Sequence, residues 1–205
     1  VVQVNTNLLP DPATWPTSWK DFANPRPEWK GNLIGSIPRE RSSAFQVYAC
    51  LLENFGEETT KAIWKGIMSC DPMLFNSGTA CNEALLRGEG AIHYTVVPAY
   101  WFQEDKGYPV KTLFFADGIV RYMGKISVLA SAPHPNAARL FTDWFLSVEG
   151  QTVQNQVGGY YSANPKVKHL KELPECVNLR FDEAAAGMNR NALLDMWDQW
   201  MAEGQ

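Results

Sequence analysis

Residues 134–151, HPNAARLFTDWFLSVEGQ, constrain the fold more than any other stretch. Ala137, Leu140, Phe141, Trp144, Phe145 and Val148 recur at steps of three and four, so a helix over 136–149 carries one wide apolar face. Arg139, Thr142, Asp143 and Ser147 fall on the other side. Pro133 and Pro135 bracket His134 in a turn, Asn136 is placed to cap the helix, and Gly150 is the residue expected to end it. The rest of the C-terminal third also reads as helix, over 150–157 and from about 182 to 202, with no strand of its own. These helices must pack either on a sheet formed earlier in the chain or on a lobe that the chain does not contain.

The sheet has to come from the first two thirds. VVQVNTNLL, NLIGSIP, GAIHYTVV, VKTLFFA and KISVLAS read as strands. Between them lie a short helix around 19–23, a helix over 44–55 closed by Gly56, another over 57–68, a third over 79–87 closed by Gly88, and a helical stretch over 99–105. Strands alternating with helices imply an α/β fold with a central sheet.

Composition narrows the class. A hydrophobic content of 45% with 20% charged residues describes a globular chain. The apolar runs fall short of a membrane span. A net charge of −4 with no Lys/Arg cluster argues against a nucleic-acid partner. Eight tryptophans belong either in the core or along a cleft. Cys50, Cys70, Cys81 and Cys176 have neither zinc-site spacing nor a C-x-x-C pair. Cys70 and Cys81 bracket DPMLFNSGTA, a loop that a disulfide would staple in an oxidising compartment; four buried thiols are the other reading. No secretory signal opens the sequence, as in a processed protein. There is no G-x-S-x-G, P-loop or H-E-x-x-H, and the three histidines show no Cys/His/acid pattern.

Four stretches, taken in order, resemble the two-lobed type II periplasmic solute-binding proteins of ABC importers, the group that includes ferric-iron binders. SWKDFANPRPEWKGNL is similar to the segment after that family's first crossover strand. SSAFQVYACLLENFG and FNSGTACNEALLRGEGAI resemble the ligand-facing helix starts and the following strand of the second lobe. ISVLASAPHPNAARLFTDWFLSVEGQ resembles the return strand and helix, and GGYYSANPKV with NRNALLDMWDQW the tail. The resemblance implies a periplasmic-binding-protein-like type II α/β fold, with a second-lobe segment over 1–120 and a return strand plus helical segment over 121–205 packing back on the cleft. It also implies a first-lobe segment of about 100 residues, the size of a small domain, that this sequence lacks. Either that missing segment or a homodimer would then cover the apolar face of 136–149.

The function so implied is capture of a small solute by hinge closure and its delivery to a membrane permease of an ABC importer, in the periplasm or outside the cell, a lipid- or membrane-associated form included. No enzyme activity, cofactor, metal or nucleic acid is expected. A helix N-terminus suits an anion, because unpaired backbone N–H groups and the helix dipole both face it. Arg41, Ser42 and Ser43 open one helix and Ser77, Gly78 and Thr79 another, after Asn76, so these are the first candidates for ligand contact; ordinary capping is the alternative. Tyr94, Tyr100 and Trp101 offer an aromatic wall, and Tyr122, with Asp117 and Arg121, lies near the implied hinge. The adjacent tyrosine pair of the ferric-iron binders would fall on Pro98 and Ala99, or, with a two-residue insertion, on Tyr100 and Trp101. Tryptophan cannot ligate iron, so an anionic or zwitterionic organic solute is expected ahead of ferric iron. A sensor or interaction domain, or a cysteine-dependent enzyme using Cys50 or Cys81, are the readings of another class.

Overall fold

The computed structural model describes residues 1–40, 42–95, 98–121 and 123–203, leaving out the side chains of Ser42 and of residues 98–100. Five short strands form one sheet: β1 (Val2–Asn5), β2 (Leu33–Gly35), β3 (Met73–Leu74), β4 (Ile92–His93) and β5 (Val110–Leu113), in the order β3-β2-β4-β1-β5. β2 runs parallel to β3 and β4, while β1 runs antiparallel to β4 and β5. β2 to β5 therefore share one direction, and their carboxyl ends share one edge. β1, β2 and β4 are buried along their whole length, the polar Gln3, Asn5 and His93 included, so the alternation of VQVN does not mark a solvent face. β3 was not legible as a strand, since two residues carry no period.

Helix α1 (Ser42–Ser69) combines the two helices expected over 44–55 and 57–68. Gly56 separates them with φ 77°, a conformation that glycine adopts without a steric cost. Gly66 brings α1 against the turn at Trp19–Ala23; a Cβ there would lie 1.8 Å from the Phe22 carbonyl oxygen. α2 (Gly78–Arg87) ends at Gly88 in the left-handed region, as its sequence predicts.

Tryptophans build the core. Trp19, Trp29, Trp64, Trp197 and Trp200 are all buried. Trp64 meets Tyr94 edge-on at 6.1 Å and Trp197 at 6.3 Å, while Tyr48 meets Trp200 at 5.7 Å. The last two tryptophans come from α6 (Arg190–Ala202), which follows α5 (Glu183–Met188) after a break at Asn189. The Tyr48 hydroxyl donates to the Leu193 carbonyl at 2.9 Å, tying α6 to α1.

The cysteines form no disulfide. Cys70 packs in the large core beneath α1, whereas Cys81 packs with Ile34, Ala84 and Leu85 beneath α2, so the 70–81 loop is held by two separate apolar clusters.

Three expectations in the C-terminal third are corrected. KISVLAS, 125–131, is largely exposed and forms no strand: its last two residues lie in a turn, and no partner strand completes a ladder among the described residues. α3 spans Pro135–Leu146, with Pro135 at the first turn and no side-chain cap, so Asn136 lies inside the helix instead of capping it. Proline suits that position because its fixed φ is helical and its missing N–H would be unpaired there anyway. Gly150 does not end this helix. Ser147 does, serving also as N-cap of α4 (Val148–Gly158), where its Oγ accepts from the Gly150 amide at 3.1 Å. Gly150 is needed for the corner: a Cβ would come within 2.2 Å of the Trp144 carbonyl oxygen.

Candidate functional site

The shared carboxyl edge of β2–β5 is where four connections leave the sheet: 36–41 into α1, 75–77 into α2, 94–97 into a 3-10 turn at Pro98–Gln103, and the loop after Leu113. An edge of this kind brings loop residues and helix starts together over a rigid base. Here the first two connections are stapled to each other. The Ser36 hydroxyl donates to the Phe75 carbonyl at 2.5 Å, the Phe75 amide to the Gly35 carbonyl at 2.9 Å, and the Cys81 thiol approaches the same Gly35 oxygen at 3.5 Å. The N-termini of α1 and α2 are therefore held in a fixed relation to each other.

Of the residues predicted from the α1 start, Arg41 lies outside the described residues and so does the side chain of Ser42. Ser43 is 8% exposed, and its hydroxyl has no hydrogen-bond partner among the described residues. A buried unpaired hydroxyl costs about 1–3 kcal/mol, so a group that satisfied it would be stabilised by a comparable amount. At the α2 start, Ser77 is the N-cap, its Oγ accepting from the Ala80 amide at 3.4 Å; Gly78 is the first helical residue and Thr79 is exposed. Glu40, Leu74, Phe75 and Asn76 line an open depression of about 560 Å³ beside these starts.

The aromatic candidates are placed differently. Tyr94 is fully buried, its ring packed on Gly35, where a Cβ would lie 2.3 Å from Cζ, and its hydroxyl donates to the Ser36 carbonyl at 3.3 Å. Burial raises its pKa well above the tyrosine range. Tyr94 thus supports the stapled loops from beneath and presents no surface to a cleft. Trp101 is half-buried, edge-on to Phe114 at 4.7 Å, with the Lys171 ammonium 4.2 Å over its ring and Lys171 itself paired with Asp105 at 3.0 Å. Its stacking face is occupied from within the protein. The side chain of Tyr100 and all of Tyr122 lie outside the described residues. Asp117 accepts from the Ser18 hydroxyl at 2.6 Å and the Trp19 amide at 3.1 Å, which fixes its loop. His93 is buried, with Nε2 3.3 Å from the Thr95 hydroxyl.

Ser36, Glu40 and Phe75 were missed as parts of the edge. Their signal is position alone: each directly follows a strand or precedes a helix start. Arg39, next in the same loop, is paired with Asp195 at 3.2 Å and with Asp198, both on α6, so its charge is spent on bracing the loop. A second depression, of about 530 Å³, lies away from the strands between 102–106 and 156–160. No group of three or more metal-ligating His, Cys, Asp or Glu side chains occurs among the described residues. Cys50 is buried, its thiol pushed up to about 12 by desolvation and the nearby Glu53 charge, so it is a poor nucleophile near neutral pH.

A protein of Haemophilus influenzae (strain Rd) is 26% identical over 192 residues, which is 90% of this chain and 55% of that protein. The periplasmic binding protein P5PA superposes with a TM-score of 0.78 at 25% identity over 100% of this chain and 66% of its own. The periplasmic binding protein AfuA from Actinobacillus pleuropneumoniae, solved with fructose-6-phosphate bound, superposes with a TM-score of 0.85 at 22% identity over 99% of this chain and 66% of its own. This chain therefore spans about half of the first relative and about two thirds of the other two. Among the described residues no helix is long and apolar enough to cross a membrane. The sequence profile of the family described as "Bacterial extracellular solute-binding protein" matches residues 1–181, and with its periplasmic-binding-protein-like α/β fold the chain belongs to that family.

Proposed function

We propose that this chain supplies one face of a solute-binding cleft, that its solute is a small anionic or zwitterionic organic molecule, and that capture serves delivery to the membrane permease of an ABC importer. The observation that carries the reading is the stapled pair of helix starts, α1 and α2, on one sheet edge, with the buried Ser43 hydroxyl at the start of α1 having no partner among the described residues. Helix N-termini favour an anionic group, and two of them fixed together favour one with several oxygens. Glu40, on the same depression, suits hydroxyl or ammonium donors elsewhere on the solute. A sugar phosphate combines both kinds of group, and AfuA, a structural neighbour, was solved with one. Arg41 adds a cation in the same connection. The chain performs no chemistry on the solute in this reading; the raised thiol of Cys50 speaks against Cys50 as the nucleophile of the cysteine-dependent alternative.

The test is calorimetric titration with fructose-6-phosphate, inorganic phosphate and ferric citrate, on the protein and on its Arg41→Ala/Ser77→Ala variant. The expected result is binding of a phosphate-bearing solute, weakened at least about tenfold, or ~1.4 kcal/mol, in the variant. Tight binding of iron with none of phosphate compounds would replace this reading by ferric-iron capture. Unchanged affinity in the variant would move the site away from the two helix starts.

A further inference from the structure

The depression between 102–106 and 156–160 shares no wall residue with the one beside the helix starts. One of its walls is the end of α4, where Gly158 and Gly159 present bare main chain. The Gly159 amide returns to the Asn155 carbonyl at 3.0 Å and the Tyr160 amide to that of Gln154 at 3.4 Å, which leaves the carbonyls of 156–158 without a donor in the helix. The Tyr160 ring lies against Gly158, where a Cβ would come within 2.8 Å of its Cδ2, and Tyr160 is still 60% exposed. Asn155, fully buried, fixes this wall: its Nδ2 donates to the Tyr160 carbonyl at 3.0 Å and its Oδ1 accepts from the Leu170 amide at 2.8 Å. The other wall carries Phe102 and Gln103, and the Gln103 Oε1 is buried with no partner among the described residues.

These walls select a ligand by charge and by hydrogen bonding. Free carbonyls at a helix C-terminus disfavour an anion. Asp105, the carboxylate among the walls, is already paired with Lys171 at 3.0 Å, and Lys106 adds a positive charge, so a cation finds no free partner. A neutral molecule fits if it brings N–H groups for the carbonyls and for Gln103 Oε1, ring nitrogens for the exposed Gln156 amide and Lys106, and a flat face for Tyr160. Turning the unpaired Gln103 oxygen to such a donor removes the cost of leaving it buried alone. Nitrogen bases stack on aromatic side chains, and a glutamine amide pairs with an adenine amino group and the neighbouring ring nitrogen together. We propose that this depression binds a neutral, planar nitrogen heterocycle bearing an amino group, the chemistry of an adenine base. The volume of about 530 Å³ is that of a small-molecule pocket. Lys171, paired with Asp105 and lying 4.2 Å over the Trp101 ring, ties the two walls together, so the ring enters between surfaces already spaced. The inference is independent of which solute the helix starts take.

Chemical-shift mapping of the full-length protein with adenine, adenosine and purine tests it. None of the three carries a phosphate, so the outcome does not depend on the anion reading. Saturable shifts are expected at the Gln103 side-chain amide and at Gly158, Gly159 and Tyr160 with adenine or adenosine, and the tighter of the two tells a free base from a nucleoside. Purine, which lacks the exocyclic amino group, should bind at least about tenfold more weakly, because a site built to hydrogen-bond a group rejects the analogue without it. Gln103→Leu should remove that preference, and Tyr160→Ala should weaken adenine binding about tenfold by taking away the stacking surface. Tyr160 is exposed, so its variant should keep the parent's thermal midpoint, which separates lost binding from lost folding. No saturable shift with adenine or adenosine, largest shifts at Ser43 and Ser77, equal binding of purine and adenine, or unchanged affinity in Tyr160→Ala would overturn the inference.

Discussion

α6 and α3 are both short, aromatic-rich helices in the C-terminal third, and their sequences promise the same thing: an apolar face that must be covered. α6 keeps the promise within the chain, burying Leu194, Trp197 and Trp200 against α1. α3 leaves Leu140, Phe141 and Trp144 on the surface. The difference lies in what each helix can reach. α6 returns over α1, where Tyr48 and Trp64 offer ring edges and Arg39 pairs with Asp195 and Asp198. α3 follows an exposed segment that is anchored near Glu183. Periodicity therefore tells that a face exists, and tertiary reach decides whether the chain itself covers it.

The sharpest way to break this comparison is to remove one tryptophan from each helix. Trp200→Ala should destabilise the chain by about 3–5 kcal/mol, the usual loss for a buried large aromatic. Trp144→Ala should change it by no more than ~0.5 kcal/mol, as for other surface substitutions. Urea unfolding followed by circular dichroism checks both; equal losses would mean α3 is covered within the chain. Next in size is Gly150→Ala, expected to cost about 1–3 kcal/mol because its Cβ meets the Trp144 carbonyl. That loss should appear as faster amide exchange in α4 while α6 stays protected.

The anchor of that exposed segment offers a pH-dependent test. The Glu183 carboxyl is held below the ordinary range, first by its bond from Lys125 and then by the Met123 amide. A folded pKa below the unfolded one means that the contact is fully present above the usual Glu value of about 4.3 and is lost as pH falls through the lower folded value. The Met123 amide signal should therefore move in strongly acidic solution, whereas α6 amides should not. A small effect is also expected at the α6 brace: Arg39→Ala should cost no more than about 1 kcal/mol, since exposed ion pairs contribute little. Its consequence should instead be a looser 36–41 connection, read as increased exchange at Ser36 and Glu40.

Much of this was legible in advance. Gly56 and Gly88 announced a helix break and a helix end, the strand runs of β1, β2, β4 and β5 were in place, and Ser77 was readable as an N-cap. Gly150 was misread because a helix-ending glycine and a close-packing glycine look alike in sequence; only the distance to Trp144 separates them. KISVLAS has a strand's composition, but a strand needs a neighbour, and composition does not report one. At the candidate site the helix starts were visible, while Tyr94 was taken for cleft wall because burial on Gly35 leaves no mark in the order of residues. Ser36 and Phe75 were invisible for the same reason: what joins them is a hydrogen bond across 39 positions of sequence.

The central claim, that the solute's anionic group sits at the paired starts of α1 and α2, is tested most directly by amide chemical-shift mapping. The ¹⁵N-labelled chain is titrated with inorganic phosphate and with fructose-6-phosphate, a method that registers even weak binding. The account predicts that the largest shifts fall on Ser43 and on Ser77, Gly78 and Thr79, and that they saturate. Largest shifts around Gln103 and Gly158, in the second depression, or no saturable shift with either compound, would contradict it.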